Sequence, residues 1–165
     1  MTAIWTSPRT WAVGDLTTEA MMNSHIRDNL DWLKTPTAAS ATWASNFTTT
    51  SASAVDITSA TVTLTTNGGG VDVHILFDTS SSVGAVTASF YVVLDGVTFQ
   101  RFATRTYDNG GYYYPISAVI HIPAVSISAA SHTIKLQCLT SGGTLTVYGS
   151  SGGTTPRLYV VERGG

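Results

Sequence analysis

Few residues in this 165-residue chain have types and spacings that could do chemistry, and most of those spacings argue against a reaction. Gly149-Ser150-Ser151-Gly152-Gly153 matches the G-x-S-x-G pattern of a nucleophile elbow. An elbow needs a strand before the serine and a helix after it, so that the hydroxyl is held at a sharp turn. Here Thr154-Thr155-Pro156 and another apolar run follow, so the segment reads as a loop. His25, His74, His121 and His132 lie at no metal-ligand spacing from one another or from Cys138. Asp72 and His74 are two apart on one strand face, where the carboxylate could orient the ring or the pair could hold a cation. The plainer reading is a solvent-facing or interface pair. Gly68-Gly69-Gly70 lacks the Lys-Ser/Thr of a phosphate-cradling loop. Asp108 and Asn109 offer oxygen ligands without a Ca²⁺-loop pattern around them. Carboxylates for glycoside hydrolysis need only meet in space, and nothing in the sequence pairs two of them. The residues therefore read as non-enzymatic, with no metal or cofactor; a depolymerase of envelope polymer is the enzymatic rival.

Tyr112-Tyr113-Tyr114, just after a glycine turn, is the unusual surface candidate. Tyrosine faces stack on sugars and are enriched in contact surfaces. The alternative is a strand that starts with one ring inward and two outward. Cys138 is the lone cysteine, so no internal disulfide forms, and its step with Ile134 and Leu136 marks it as a buried structural thiol.

The elements that must position these residues are mainly β. Val71, Val73, Ile75 and Phe77 alternate; so do Phe90, Val92 and Leu94, then Ile116, Ala118, Ile120 and Ile122, then Leu145 and Val147, then Leu158 and Val160. Glycine-rich turns separate them, and Asp95-Gly96 is a hairpin signal because both turn positions favour positive φ. Short strands so spaced predict an antiparallel jelly-roll sandwich over residues 55–165. Residues 37–54 read as a hydroxyl-rich linker entering a first strand near Trp43–Thr50. Asn46-Phe47-Thr48 matches a glycosylation sequon, given little weight without a secretory leader.

Residues 1–36 differ from the rest. An extended arm with Trp5 and Trp11 leads to one predicted α-helix, capped by Thr17, stapled by Leu16 and Met21, and ended by Thr35-Pro36. Arg27 and Asp31 are spaced to pair. Met22, Ile26, Leu30 and Leu33 form one apolar stripe, interrupted as a heptad by Asn29. So short a helix is marginal alone in water and must dock on something.

Composition narrows the partners. Charged residues are 11% and the net charge is −2, so there is no basic field for nucleic acid. Serine and threonine supply roughly a quarter of the chain, a weakly charged exterior compatible with close packing of copies. No apolar run approaches the roughly 20 residues of a membrane span. With no secretory leader visible at the start, the expectation is a protein assembled in a cytoplasm and released by a route other than secretion.

The stretch "PRTWAVGDLTTEAMMNSHIRDNLDWLK", residues 8–34, resembles the N-terminal segment of a group of tailed-bacteriophage virion proteins. The matching positions are Trp11, Gly14, Leu16-Thr17, Asn23 and Arg27-Asp28-Asn29-Leu30. Residues 128–162, with "SHTIKLQ" and "RLYVVE", look like that group too and are similar to jelly rolls of the tumour necrosis factor type. The resemblance implies a virion structural protein, a homotrimer on the particle surface as capsid decoration or short head fibre. Trp5, Trp11, Met22, Ile26, Leu30 and Leu33 would then attach it to other virion proteins or join its copies. The rival within the resemblance is a tail-associated receptor-binding module, with Tyr112, Tyr113 and Tyr114 meeting host-surface glycan.

Overall fold

The period-two runs form strands because their branched and aromatic side chains suit a pleated, half-buried surface. The structure, a computed structural model, describes residues 6–7, 9–30, 36–108, 110–150 and 154–163. Ten strands follow a short helical segment: β1 (Ala38–Ala41), β2 (Phe47–Thr49), β3 (Val55–Thr65), β4 (Val71–Ser81), β5 (Val86–Leu94), β6 (Val97–Tyr107), β7 (Tyr114–Ile122), β8 (Ser131–Thr140), β9 (Leu145–Val147) and β10 (Arg157–Glu162).

All pairings are antiparallel and build two sheets. The four-stranded sheet runs β3-β8-β5-β6. In the other sheet β4 pairs β7 along one edge, and along its other edge β10 at one half and β9 at the other. β1 then flanks β10, and β2 flanks β9. Read as continuous strands, β1/β2 and β9/β10 are two broken strands of an eight-stranded, double Greek-key jelly roll.

The two breaks lie side by side and are stapled together by Trp43. Its indole N–H donates to the Tyr148 carbonyl at 3.0 Å, and its own carbonyl accepts from the Ser150 N–H at 3.1 Å. Gly149 is required here, because a Cβ would collide with the Ala44 carbonyl. The Trp43 ring then starts a row of aromatic contacts through the core, with centroids 6.1 Å to Phe77, 5.4 Å on to Phe90 and 6.2 Å on to Phe102. The inward residues of β4, β7, β8, β9 and β10 are those the alternation predicts, and Cys138 is among the buried ones.

Two expectations need correction. A strand near Trp43–Thr50 is present only as β2, with β1 before it, because Trp43 turns into the core between them. Period two also fails inside β3. Ser59 sits at φ 67°, the register slips between Asp56 and Thr61, and Ile57 and Ala60 both face inward. That bulge re-aims the second half of the strand.

The loops sort to two ends. Residue 37, the 66–70 loop, the Asp95-Gly96 turn, the 123–130 segment and Arg163 meet at the end where the chain enters the sandwich, tied by Glu162 N–H to Thr37 O, Arg163 N–H to Gly70 O and Asp95 N–H to Thr133 O. The 50–54, 82–85, 110–113 and 141–144 loops meet at the far end, tied by Thr140 N–H to Ser51 O, Ser82 N–H to Thr144 O and Gly111 N–H to Ser81 O.

Candidate functional site

The helix begins one residue later than the sequence suggests. Thr18, in extended backbone, is the N-cap, and its hydroxyl accepts from Met21 N–H at 3.3 Å. Leu16 is exposed, so the expected staple with Met21 does not form. A first turn, α1 (Glu19–Met22), widens into a π-helical stretch over Asn23–Arg27, and helical backbone continues over 28–30. Arg27 pairs with its neighbour Asp28 at 2.8 Å. The expected helix end at Thr35 and the Arg27–Asp31 pair lie outside the described residues.

Asn29 explains itself once the arm is seen. It is buried, its side-chain oxygen accepts from Thr6 N–H at 2.9 Å, and its amide donates to Thr6 O at 2.8 Å. One side chain thus clamps the arm's backbone as a neighbouring strand would. Arg9 adds an ion pair to Asp15 at 3.1 Å and stacks over the Trp11 ring.

The apolar side chains of the helical segment and Trp11 of the arm stay partly exposed. Trp11 is 41% exposed, Met22 44%, Ile26 43% and Leu30 59%. Among the described residues no hydrogen bond joins residues 6–30 to the sandwich. Trp5 and Leu33, the other two predicted members, lie outside the described residues.

Tyr112 and Tyr113 stand at the far loop end, 62% and 57% exposed, while Tyr114 turns inward against Tyr107, edge-on at 5.2 Å, with the Arg105 guanidinium 4.3 Å from its ring centre. The Tyr113 ring lies 4.5 Å from that of Tyr148, whose hydroxyl meets Ser80 Oγ at 2.8 Å. The adjoining Tyr148 phenol raises that of Tyr113 above its ordinary value.

Other titratable groups are engaged in holding loops. Asp72 does not pair with His74, as the strand spacing allowed. It accepts from Arg163 Nε at 2.6 Å and meets His121 Nδ1 at 2.9 Å across the sheet. His74 packs on Tyr159 instead. Glu162, 1% exposed, accepts from Asn67 N–H at 2.6 Å and Gly69 N–H at 3.0 Å, closing the glycine loop. Its place in step with Leu158 and Val160 was the available signal, overlooked because a carboxylate seldom points inward unless paired.

Ser128, His132 and Asp95 come together in the order of a hydrolase triad: Asp95 Oδ2 is 2.7 Å from His132 Nδ1, and Ser128 Oγ is 3.4 Å from Nε2. The chemistry does not follow. Nε2 lies closer, at 3.0 Å, to the Ser128 carbonyl, which only an N–H can satisfy. A ring donating from both nitrogens is a cation and has no lone pair with which to take a proton from the serine. Burial opposes that charge, but the Asp95 and Ser128 hydrogen bonds together raise His132 above its ordinary value. In the G-x-S-x-G segment Ser150 has 3-10 backbone and is bonded to Trp43, residues 151–153 lie outside the described residues, and 154–156 are not helical. No group of three metal-ligating side chains occurs among the described residues, and no helix among them is long and apolar enough to cross a membrane.

No protein-family model and no curated protein matches the chain. Among solved structures, it is similar to the chain of infectious bursal virus derived T=1 particles, with TM-score 0.51 and 18% identity over 78% of this chain and 36% of that one. The infectious bursal disease virus Gx strain gives TM-score 0.48 at 18% identity, covering 78% and 36%. Eiger TNF from S. frugiperda gives 0.46 at 7%, covering 79% and 94%. The first of these shows the fold, an antiparallel β-sandwich. This chain spans little more than a third of those viral chains' length.

Proposed function

We propose that this chain is a non-enzymatic structural protein of a virus particle, built to join copies of itself and other particle proteins through its front end. The observation that carries this reading is the partial exposure of the stripe residues Met22, Ile26 and Leu30 and of Trp11 in the arm. Burying such side chains is worth about 1.5–3 kcal/mol each, and a helix this short gains stability mainly from such burial. Leu33 continues the helical spacing, and Trp5 is a second tryptophan of the arm. The fold shared with a particle-forming chain supports the viral reading, and the resemblance of residues 8–34 narrows it to tailed phage. Three-fold closure lets each copy bury the same patch, giving a trimeric capsid decoration or short head fibre whose sandwich projects as a knob. Sedimentation of the purified chain is expected to give three times its 17.4 kDa mass. A monomer at micromolar concentration contradicts the reading, and imaging labelled protein on intact particles tests its station.

A second reading has its own observation. Tyr112 and Tyr113 are exposed on loops at the end opposite to chain entry, where an attached particle protein would meet a host. In this reading the chain is a tail-associated receptor-binding module and these rings stack on host-surface glycan. Binding on a glycan array supports it; absence of any binding to glycans or cells leaves decoration.

A further inference from the structure

The two sheets show different outer faces. On β3-β8-β5-β6 the outward residues include Thr61, Thr63, Thr98 and Thr104, with Lys135 and Gln137 both bonded to Asp56, a solvated surface. The outer face of β7-β4-β10 is unlike it. Two cross-strand rows, Val119-His74-Tyr159 and Ser117-Leu76-Arg157, form a small grid. A depression of about 180 Å³ opens on it, lined by five of these six residues. Leu76 and Val119 are exposed there. The Arg157 guanidinium lies 4.8 Å from the Tyr159 ring centre and forms no ion pair among the described residues.

Charge and shape together select an occupant. The grid holds a guanidinium, an imidazole and aromatic and apolar faces, and no carboxylate. The nearest carboxylate toward chain entry, Asp72, is already taken by Arg163 and His121. Toward the far end β4 presents Asp78 and then Ser80, which bonds Tyr148 beneath Tyr113. From Leu76 to Ser80 is four residues, about 13 Å along the strand. The face is thus a track with a cationic, aromatic site at one end, an acidic step, and an aromatic platform at the other.

We propose that this face binds an extended saccharide carrying a carboxylate on some but not all of its units. The Arg157 fork takes the carboxylate in the depression beside Tyr159. A neutral unit passes Asp78 and stacks on Tyr113. This deepens the receptor-binding reading and rests on it, while owing nothing to the helix stripe.

Calorimetry of the full chain with hyaluronan oligosaccharides, in which acidic and neutral units alternate, tests it, with cellohexaose and polygalacturonate as controls and light scattering on the same samples. Saturable hyaluronan binding is expected, about tenfold or more weaker in Arg157→Gln, partly restored in Arg157→Lys, and reduced in Tyr159→Ala. No saturable binding, equal affinity in Arg157→Gln, or equal affinity for cellohexaose or polygalacturonate overturns the proposal. So does a lower oligomer mass in Arg157→Gln, which makes the face a contact between copies. Lost saccharide binding with the mass unchanged leaves the assembly reading standing.

Discussion

His132 and Asp95 tie the β5–β6 turn to the loop before β8, and their protonation gives that tie a pH window. Asp95 is held below 3.8 by its hydrogen bond to His132, then by Thr133 N–H, so its contribution is full above 3.8 and lost as pH falls through its lowered value. His132 is raised above 6.5, so its contribution is full below 6.5 and lost as pH rises through its raised value. Melting of wild type against His132→Gln should therefore differ most between about pH 4 and 6.5, with the gap closing toward pH 9. A gap that widens with pH contradicts the doubly donating ring. Cys138 makes a second residue-scale prediction. Burial pushes its thiol up to about 12, so a thiol reagent at pH 8 should label it only after denaturation. Glu162→Ala strands one buried and one part-buried N–H donor and should lower stability by about 2–4 kcal/mol in a denaturant melt.

Strands were legible where a single rule governed them. In β7, β8 and β10 one face is buried and the other more open, and the apolar residues of β4 alternate likewise, so alternation alone names the inward apolar residues. It failed at β3, where Ser59 slips the register, and at Trp43, whose inward turn depends on a partner loop more than a hundred residues away. The helix cap moved by one because Thr17 and Thr18 offer the same hydroxyl, and only backbone geometry chooses. The Tyr112–Tyr114 alternation was readable, but Tyr148 beneath it was not, since a distant segment brings it there; Arg157 and Tyr159 are two apart on β10, and what alternation could not show is that register sets His74 and Leu76 beside them. Trp43→Phe tests the staple. It removes the indole bond to Tyr148 O and some buried area, and should cost about 1–3 kcal/mol in a thermal melt while leaving the strands formed by circular dichroism.

At the scale of the whole molecule, the jelly roll separates two jobs. Its entry end is crowded with loop ties and joins the arm and helix; its far end carries hydroxyl-rich loops and exposed tyrosines. A weakly charged surface lets copies approach closely, but it does not by itself hold them together. The proposed assembly therefore rests on the exposed side chains of the helical segment. The direct test is the solution mass by light scattering of wild type and of the Ile26→Asp/Leu30→Asp pair, both exposed in the single chain. The account predicts a trimer that falls to a folded monomer in the double variant. A wild-type monomer, or a trimer unmoved by two carboxylates on that stripe, contradicts it.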